Sequence, residues 1–222
     1  MYQSPVAALS ELIANAWDAD TDNVWITLPC APLTKISTIE IRDDGDGMTL
    51  KECEERYLNI GYCRRSTPTE RSAGKQRPIL GRKGIGKFAG FGIAQVIRVE
   101  TVSRGTGEKT VFELNLASLR SDQYLVEGGV IDVLEYLAPD LARIVEHGTK
   151  IQLKELTLGR AINSSQFATS MARRFLLHQA QAGFSVFVDK KPIPSSVLMK
   201  DSNSSGGGSC FDQRRDRLRI AM

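Results

Sequence analysis

Three stretches carry side chains whose types and spacing could do chemistry. The first is ALSELIANAWDAD, residues 7–19, where Glu11, Asn15 and Asp18 stand at i, i+4 and i+7. On a helix of about 100° per residue these form one narrow polar stripe, with Leu9, Ile13 and Ala16 almost opposite. The small residues Ala14 and Ala19 leave room for a ligand beside the stripe. A solvated helix face would also be polar, but such faces usually mix charge signs, and no Lys or Arg occurs from Val6 to Asp22.

The second is DDGDGM, residues 43–48, in which Asp43 ends a strand pattern and Gly45 and Gly47 follow at alternate positions. Glycines so spaced suit a backbone that takes positive φ or lets a ligand come close. A carboxylate held there can accept a charge-assisted hydrogen bond from an amino group, worth ~1.5–3 kcal/mol. An acidic turn could instead bind calcium, although the EF-hand spacing and its terminal glutamate are missing.

The third is GRKGIGKFAG, residues 81–90, which completes neither a dinucleotide nor a Walker pattern: it lacks the Walker spacing and the Ser/Thr after the lysine. Amides exposed at a helix start, with Lys83 and Lys87 beside them, make an anion site suited to phosphate. The alternative is close packing of a glycine-rich helix on a sheet. A fourth pair, Gly148-Thr149 at the head of a strand, gains meaning only from its order after the other three.

Around these stretches the chain reads as alternating strands and helices. VWITL (24–28) and STIEIR (37–42) alternate as strands, joined by a proline-bearing connection. Thr49 with Glu52 is a capping box, which predicts a short helix from Thr49. Residues 61–80 are polar, basic and broken by prolines, the composition of a long mobile loop. A helix is expected to follow from about Ile85. QVIRVETVS and KTVFELNL read as a hairpin around Arg104–Gly107. Residues 117–146 are weakly patterned and expected to be partly helical. A strand over 147–156, an amphipathic helix over 164–179 with Phe167, Met171, Phe175 and His178 on one side, and a strand with its turn over 184–193 complete the pattern. Residues 1–200 therefore read as one domain.

The bulk numbers restrict the function classes. A net charge of +3 on 222 residues is too small to argue by itself for nucleic acid or an anionic membrane. Cys30, Cys53, Cys63 and Cys210 lie far apart with no paired metal spacing, and read as reduced thiols of a cytoplasmic protein. No apolar run approaches the ~18 residues of a membrane span. The start passes almost directly into the first helix, without a signal pattern, which suggests a trimmed chain. Ser204–Ser209, within 201–209, has flexible-linker composition, native or engineered. Residues 210–222 form a basic tail or the start of a following element, whose arginines read as a solvated face.

Taken in order, Glu11-x-x-x-Asn15-x-x-Asp18, Asp43-x-Gly45-x-Gly47, Gly81-x-x-Gly84-x-Gly86 and Gly148-Thr149 resemble the four motifs of the GHKL ATPases. That superfamily includes DNA gyrase B, the heat-shock chaperone ATPases, the sensor histidine kinases, and the mismatch-repair and MORC ATPases. The resemblance covers about residues 4–190. It implies the Bergerat fold, an α/β (α+β) two-layer sandwich with helices on one face of a mixed, mostly antiparallel sheet. It implies ATP and Mg2+ as ligands.

By the same resemblance, Glu11 matches the base that activates water and Asn15 the magnesium ligand. Asp18 matches a supporting acid of the pocket and Ala19 a small wall residue. Asp43 matches the carboxylate that reads the adenine amino group, with Gly45 and Gly47 in its turn, Thr149 in the same hydrogen-bond set and Met48 as an apolar wall. Lys83, Gly84, Ile85, Gly86, Lys87 and Phe88 match the phosphate-holding segment, and residues 61–80 the ATP lid.

Sensor kinases similar to this fold usually carry asparagine where this chain has Glu11, so Glu11 favours hydrolysis. Neither His147 nor His178 sits in a phospho-acceptor helix pattern. The expected protein is an ATPase head that dimerises with nucleotide and borrows a Lys or Arg from a following domain. Its partner beyond ATP and itself is left open between nucleic acid and a client protein, with no membrane. The competing readings are a non-hydrolysing ATP-gated interaction module, separated by phosphate release, and a histidine-kinase-like phosphotransferase, separated by γ-phosphate label on a partner histidine.

Overall fold

Ser4 starts the first helix. Its backbone is extended, its Oγ accepts from Ala7 N, and Pro5 takes the first helical position, where a missing N–H is tolerated. In the computed structural model, which describes residues 4–57, 71–80, 86–119 and 132–193 (backbone alone for Tyr57, Lys87 and 176–182), helix α1 runs Pro5–Asp18. It buries Leu9, Leu12, Ile13, Ala16 and Trp17, and ends just before Asp20, whose φ is +58°.

Among the described residues eight strands follow: β1 Asn23–Thr27, β2 Ile39–Asp43, β3 Ala94–Val102, β4 Lys109–Asn115, β5 Asp132–Leu137, β6 Gly148–Leu156, β7 Ser185–Val188 and β8 Lys191–Pro192. They form a single sheet in the order β5-β4-β3-β6-β2-β1-β7-β8. The β1–β7 pairing is parallel and the others are antiparallel. The helices are α2 Leu50–Tyr57, the single turn α3 Leu116–Leu119 and α4 Ser164–Ala182, with 3-10 segments at Gly86–Gly92 and Leu141–Glu146.

The two faces of the sheet differ because the strand sequences alternate. Ile26, Ile39, Ile41, Ile97, Val99 and Leu153 point into the core shared with α1 and α4. On the other face, Glu100 meets Lys150 at 2.6 Å and Lys109 at 3.2 Å, and Lys154 meets Glu113 at 2.6 Å. The helices therefore cover one face, and ion pairs in water cover the other. Helix α4 contributes Phe167, Met171 and Phe175, all fully buried. Asn163 caps it by accepting from Gln166 N, and Gly183 closes it in the left-handed conformation. Phe184 then stands edge-on to Trp17 with ring centroids 5.2 Å apart, fastening α1 to the start of β7.

The capping box forms as expected: Glu52 Oε2 accepts from Thr49 N at 2.8 Å, and Thr49 Oγ1 accepts from Glu52 N at 3.3 Å. One expectation gives way and another is met in part. The helix foreseen from about Ile85 is instead a 3-10 segment, since Gly86, Gly90 and Gly92 lower helix propensity at close intervals. The stretch 117–146, expected to be partly helical, holds among its described residues the end of the turn α3 and the 3-10 segment Leu141–Glu146, together with an unforeseen edge strand, β5, whose six residues are all exposed. A strand without a buried face leaves no period-2 signal to read.

Candidate functional site

The central row of the sheet assembles the site. Register places Asp43 of β2 opposite Thr149 of β6, and Thr149 opposite Thr101 of β3. Asp43 is only 8% exposed. Its Oδ1 accepts from Gly45 N at 2.9 Å, Thr149 N at 3.2 Å and Thr21 Oγ1 at 3.5 Å. No such bond reaches Oδ2 among the described residues. Burial pushes the Asp43 carboxyl up, the Gly45 and Thr149 amides pull it back, and it settles at about 6.

Thr101 extends the row. Its Oγ1 accepts from Met48 N at 3.0 Å, donates to Gly148 O at 3.1 Å and lies 3.2 Å from Thr149 Oγ1. Met48 is 6% exposed and belongs to the core wall. The acidic turn between Asp43 and Met48 is rigid for local reasons. Gly47 has φ +61°, and a Cβ there would lie 1.9 Å from Val102 O. Gly148 has φ +125°, and its Cβ would strike Asp43 O at 2.1 Å. No side chain fits either place. Gly45 packs under Ala19: a Cβ on it would approach Ala19 O to 2.7 Å. Its carbonyl also takes a bond from the His147 side, with Nδ1 2.8 Å away.

The polar stripe of α1 leads from this pocket to a second group. Gly86 opens the 3-10 segment directly over Asn15 and Glu11: a Cβ on Gly86 would lie 3.4 Å from Asn15 Oδ1 and 3.4 Å from Glu11 Oε2. Glu11 Oε1 faces the other way and meets Arg174 Nη2 of α4 at 3.3 Å. Phe88 stacks at 6.3 Å on Phe91 and packs against the core. Gly81, Lys83, Gly84 and Ile85 lie outside the described residues, as do the Lys87 and His178 side chains.

The end of α1 holds the second half of the expected loop. Asp18 Oδ1 accepts from Leu80 N at 2.7 Å, and Trp17 Nε1 donates to Pro78 O at 2.8 Å. Asp20 accepts from Ser72 Oγ, Gly74 N and Lys75 N. Burial raises the Asp20 carboxyl, but these donors and the nearby Arg77 outweigh it and hold it below its usual range. Arg77 is buried, stacks 4.5 Å above the Trp17 ring and donates to Thr21 O. Residues 71–80 are thus docked, and residues 61–70 lie outside the described residues.

The structure brings Glu11, Asn15 and Gly86 together at one place, and Ala19, Asp43, Gly45, Met48 and Thr149 at another. Sequence reasoning passed over Thr21, Thr101, His147 and Arg174. Thr101 left one faint signal, a hydroxyl at an inward position of a strand of valines and isoleucine. The site is distinct from a cleft of about 680 Å³ between Leu28–Ala31, Ala161–Ser164 and Asp189–Lys190, at the far side of the sheet.

A mixed sheet covered on one face by helices, with an acidic turn and a glycine segment flanking one polar helix stripe, defines a class of nucleotide-binding domain. The chain belongs to the histidine kinase-, DNA gyrase B- and HSP90-like ATPases, whose family model matches residues 2–140. A putative type II restriction enzyme, HgiDII of Herpetosiphon aurantiacus, is 31% identical over 197 residues, 87% of this chain and 30% of that protein. Among solved structures, the ATPase and transducer domains of DNA topoisomerase II from Balamuthia mandrillaris align with TM-score 0.56 and 17% identity, over 86% of this chain and 48% of that one. The ATPase region of Saccharomyces cerevisiae topoisomerase II aligns with TM-score 0.53 and 16% identity, over 85% and 48%. The chain thus spans less than a third of its curated relative. Among the described residues no helix is long and apolar enough to cross a membrane.

Proposed function

We propose that this chain is the Mg-dependent ATP-binding and hydrolysing domain of a larger protein, in which nucleotide closes the lid segment 61–80 and draws two copies together. The observation that carries the reading is the placement of two unlike groups along one helix. Asp43 lies beside Ala19 at the end of α1, and the group made by Asn15, Glu11 and Gly86 lies four to eight residues back along the same helix, about 6–12 Å by helical rise. A nucleoside triphosphate can bridge that distance.

The residues present fit such a ligand. Three protein donors converge on Asp43 Oδ1, which leaves Oδ2 for an exocyclic amino group. A Cβ on Gly86 would stand 3.4 Å from both Asn15 Oδ1 and Glu11 Oε2, so the start of the glycine segment lies against these two side chains, where a phosphate would meet them. Among the described residues no cluster of three acidic, His or Cys side chains could hold a metal. Asn15 Oδ1 suffices as one protein ligand for magnesium, which keeps several waters and takes phosphate oxygens; when bound, the ion neutralises phosphate charge.

In this reading Asp43, Thr149 and Thr21 bind and orient the base, Met48 walls it, and Asn15 positions the metal. Lys83, Gly84, Ile85, Gly86, Lys87 and Phe88 hold the phosphates. Glu11 takes the proton of the attacking water. Asp18 anchors the fixed end of the lid. The unpaired thiols of Cys30 and Cys53 accord with a cytoplasmic setting. The likeness to a putative restriction enzyme extends the proposal to a parent protein that acts on DNA.

Comparing Glu11→Ala with Asp43→Asn tests the assignment. The first variant should bind ATP normally and release no phosphate. The second should lose binding. Normal ATP binding by Asp43→Asn would remove the basis of the site.

A further inference from the structure

The two oxygens of Glu11 face different partners. Oε2 points to the Gly86 cradle beside Asn15, while Oε1 is held at 3.3 Å by Arg174 Nη2. Arg174 comes from α4, late in the chain and outside all four motifs. We propose that Arg174 is a positioning residue for hydrolysis: by holding Oε1, it fixes the Glu11 carboxylate with Oε2 turned to the phosphate cradle. The inference rests on the reading of Glu11 as the base.

The scaffold suits that task. Glu11 stands on α1 beside fully buried Leu12 and Ile13, so the helix cannot roll to re-aim it. Arg174 is flanked by Ala172 and Phe175, which are also fully buried. Two helices locked in one core therefore set the distance between the guanidinium and the carboxylate. Without its partner, a glutamate on three rotatable bonds would sample rotamers in which neither oxygen meets the cradle.

The pair is not there for stability. The Arg174 and Glu11 side chains are 51% and 39% exposed, and ion pairs so open to water add little to folding. A productive orientation is another matter, because small misplacements of a reacting group cost rate heavily. The arrangement also leaves the guanidinium engaged with the carboxylate rather than aimed at the phosphates.

The test uses the 222-residue chain and measures ATP affinity, thermal midpoint and single-turnover phosphate release for Arg174→Ala, Arg174→Lys, Glu11→Gln and the double variant. Arg174→Ala should slow release about tenfold with affinity and midpoint unchanged, and Arg174→Lys should recover part of the loss. The double variant should be no slower than Glu11→Gln alone, since the arginine acts only through the glutamate. Unchanged release in Arg174→Ala overturns the proposal. So does a loss of ATP affinity, which would make the guanidinium a phosphate ligand. Full activity of Glu11→Gln would instead overturn the reading of the base, and so tells the two failures apart.

Discussion

Asp43 is a residue whose function works against the fold. Its carboxyl is raised from 3.8 to about 6, chiefly by burial. As pH rises from 3.8 the unfolded chain ionises at this position while the folded domain keeps its proton until about 6. Stability is therefore lost across that window, and the loss is complete above it, on the order of 3 kcal/mol. Asparagine carries no such cost and still offers an oxygen to the Gly45 and Thr149 amides. Asp43→Asn should thus melt higher than the parent chain at pH 7.5, by up to a few kcal/mol of stability, with the difference gone near pH 3.5. Melting curves that stay parallel over that range would contradict this. ATP affinity of the parent chain should weaken as pH falls below about 6, because the proton then sits on Oδ2, the oxygen left to accept from the base. Activity here is bound to instability, a frequent arrangement in sites that hold buried charge.

Among the elements, the docked segment 71–80 sets where a lid could hinge. Asp20 ties three donors of that segment to the end of α1, in a left-handed backbone that Asp tolerates better than most residues. Asp20→Ala would leave the Ser72 hydroxyl and two amides without their acceptor, a cost of ~2–4 kcal/mol for a buried, charge-assisted cluster. Asp20→Asn keeps one acceptor oxygen and should cost roughly half as much. Hydrogen exchange read at Gly74 and Lys75 checks this: their amides should exchange faster in Asp20→Ala than in the parent chain, well before the domain unfolds. Composition alone made this stretch a loop. It could not show that the loop's second half is fixed, because Trp17, Asp20, Thr21 and Arg77 meet only once the chain has folded back. Local signals did better elsewhere. The Thr49–Glu52 cap, the turn before Lys109 and the apolar side of α4 depend on residues three or four apart, or on strict alternation, and were legible. Strand β5 has neither, since water surrounds it on both faces.

At the scale of the whole molecule, the sheet row and the helix stripe were legible from the spacing of Glu11, Asn15 and Asp18 and of Asp43 and Thr149, whereas their supporting contacts were not, and residues 81–85 of the glycine segment lie outside the described residues. Thr101 reaches the site through strand register, His147 from the turn just before β6, and Arg174 through the packing of α4 on α1, so none of them leaves a spacing to read. What the motifs do not supply also decides how the chain should behave alone. On the proposed reading, Glu11, Asn15 and the amides from Gly84 to Phe88 hold the nucleotide and the water, while Arg174 is already paired with Glu11. Beyond Lys83 and Lys87 of the phosphate segment, the reading calls for one further basic side chain to meet the charge that develops on the terminal phosphate. The chain spans 30% of the restriction-enzyme relative and 48% of the topoisomerase structures, so a basic side chain supplied by further sequence is the natural source. Loss of one such donor costs about 10²–10³ in kcat, while nucleotide affinity, set by Asp43 and the cradle, should persist. Titration with ATP should therefore show saturable binding to this chain, with phosphate release about 100-fold or more slower than in the larger protein that the reading proposes. Release at equal rates from the two would mean that every group needed for turnover already lies within these 222 residues.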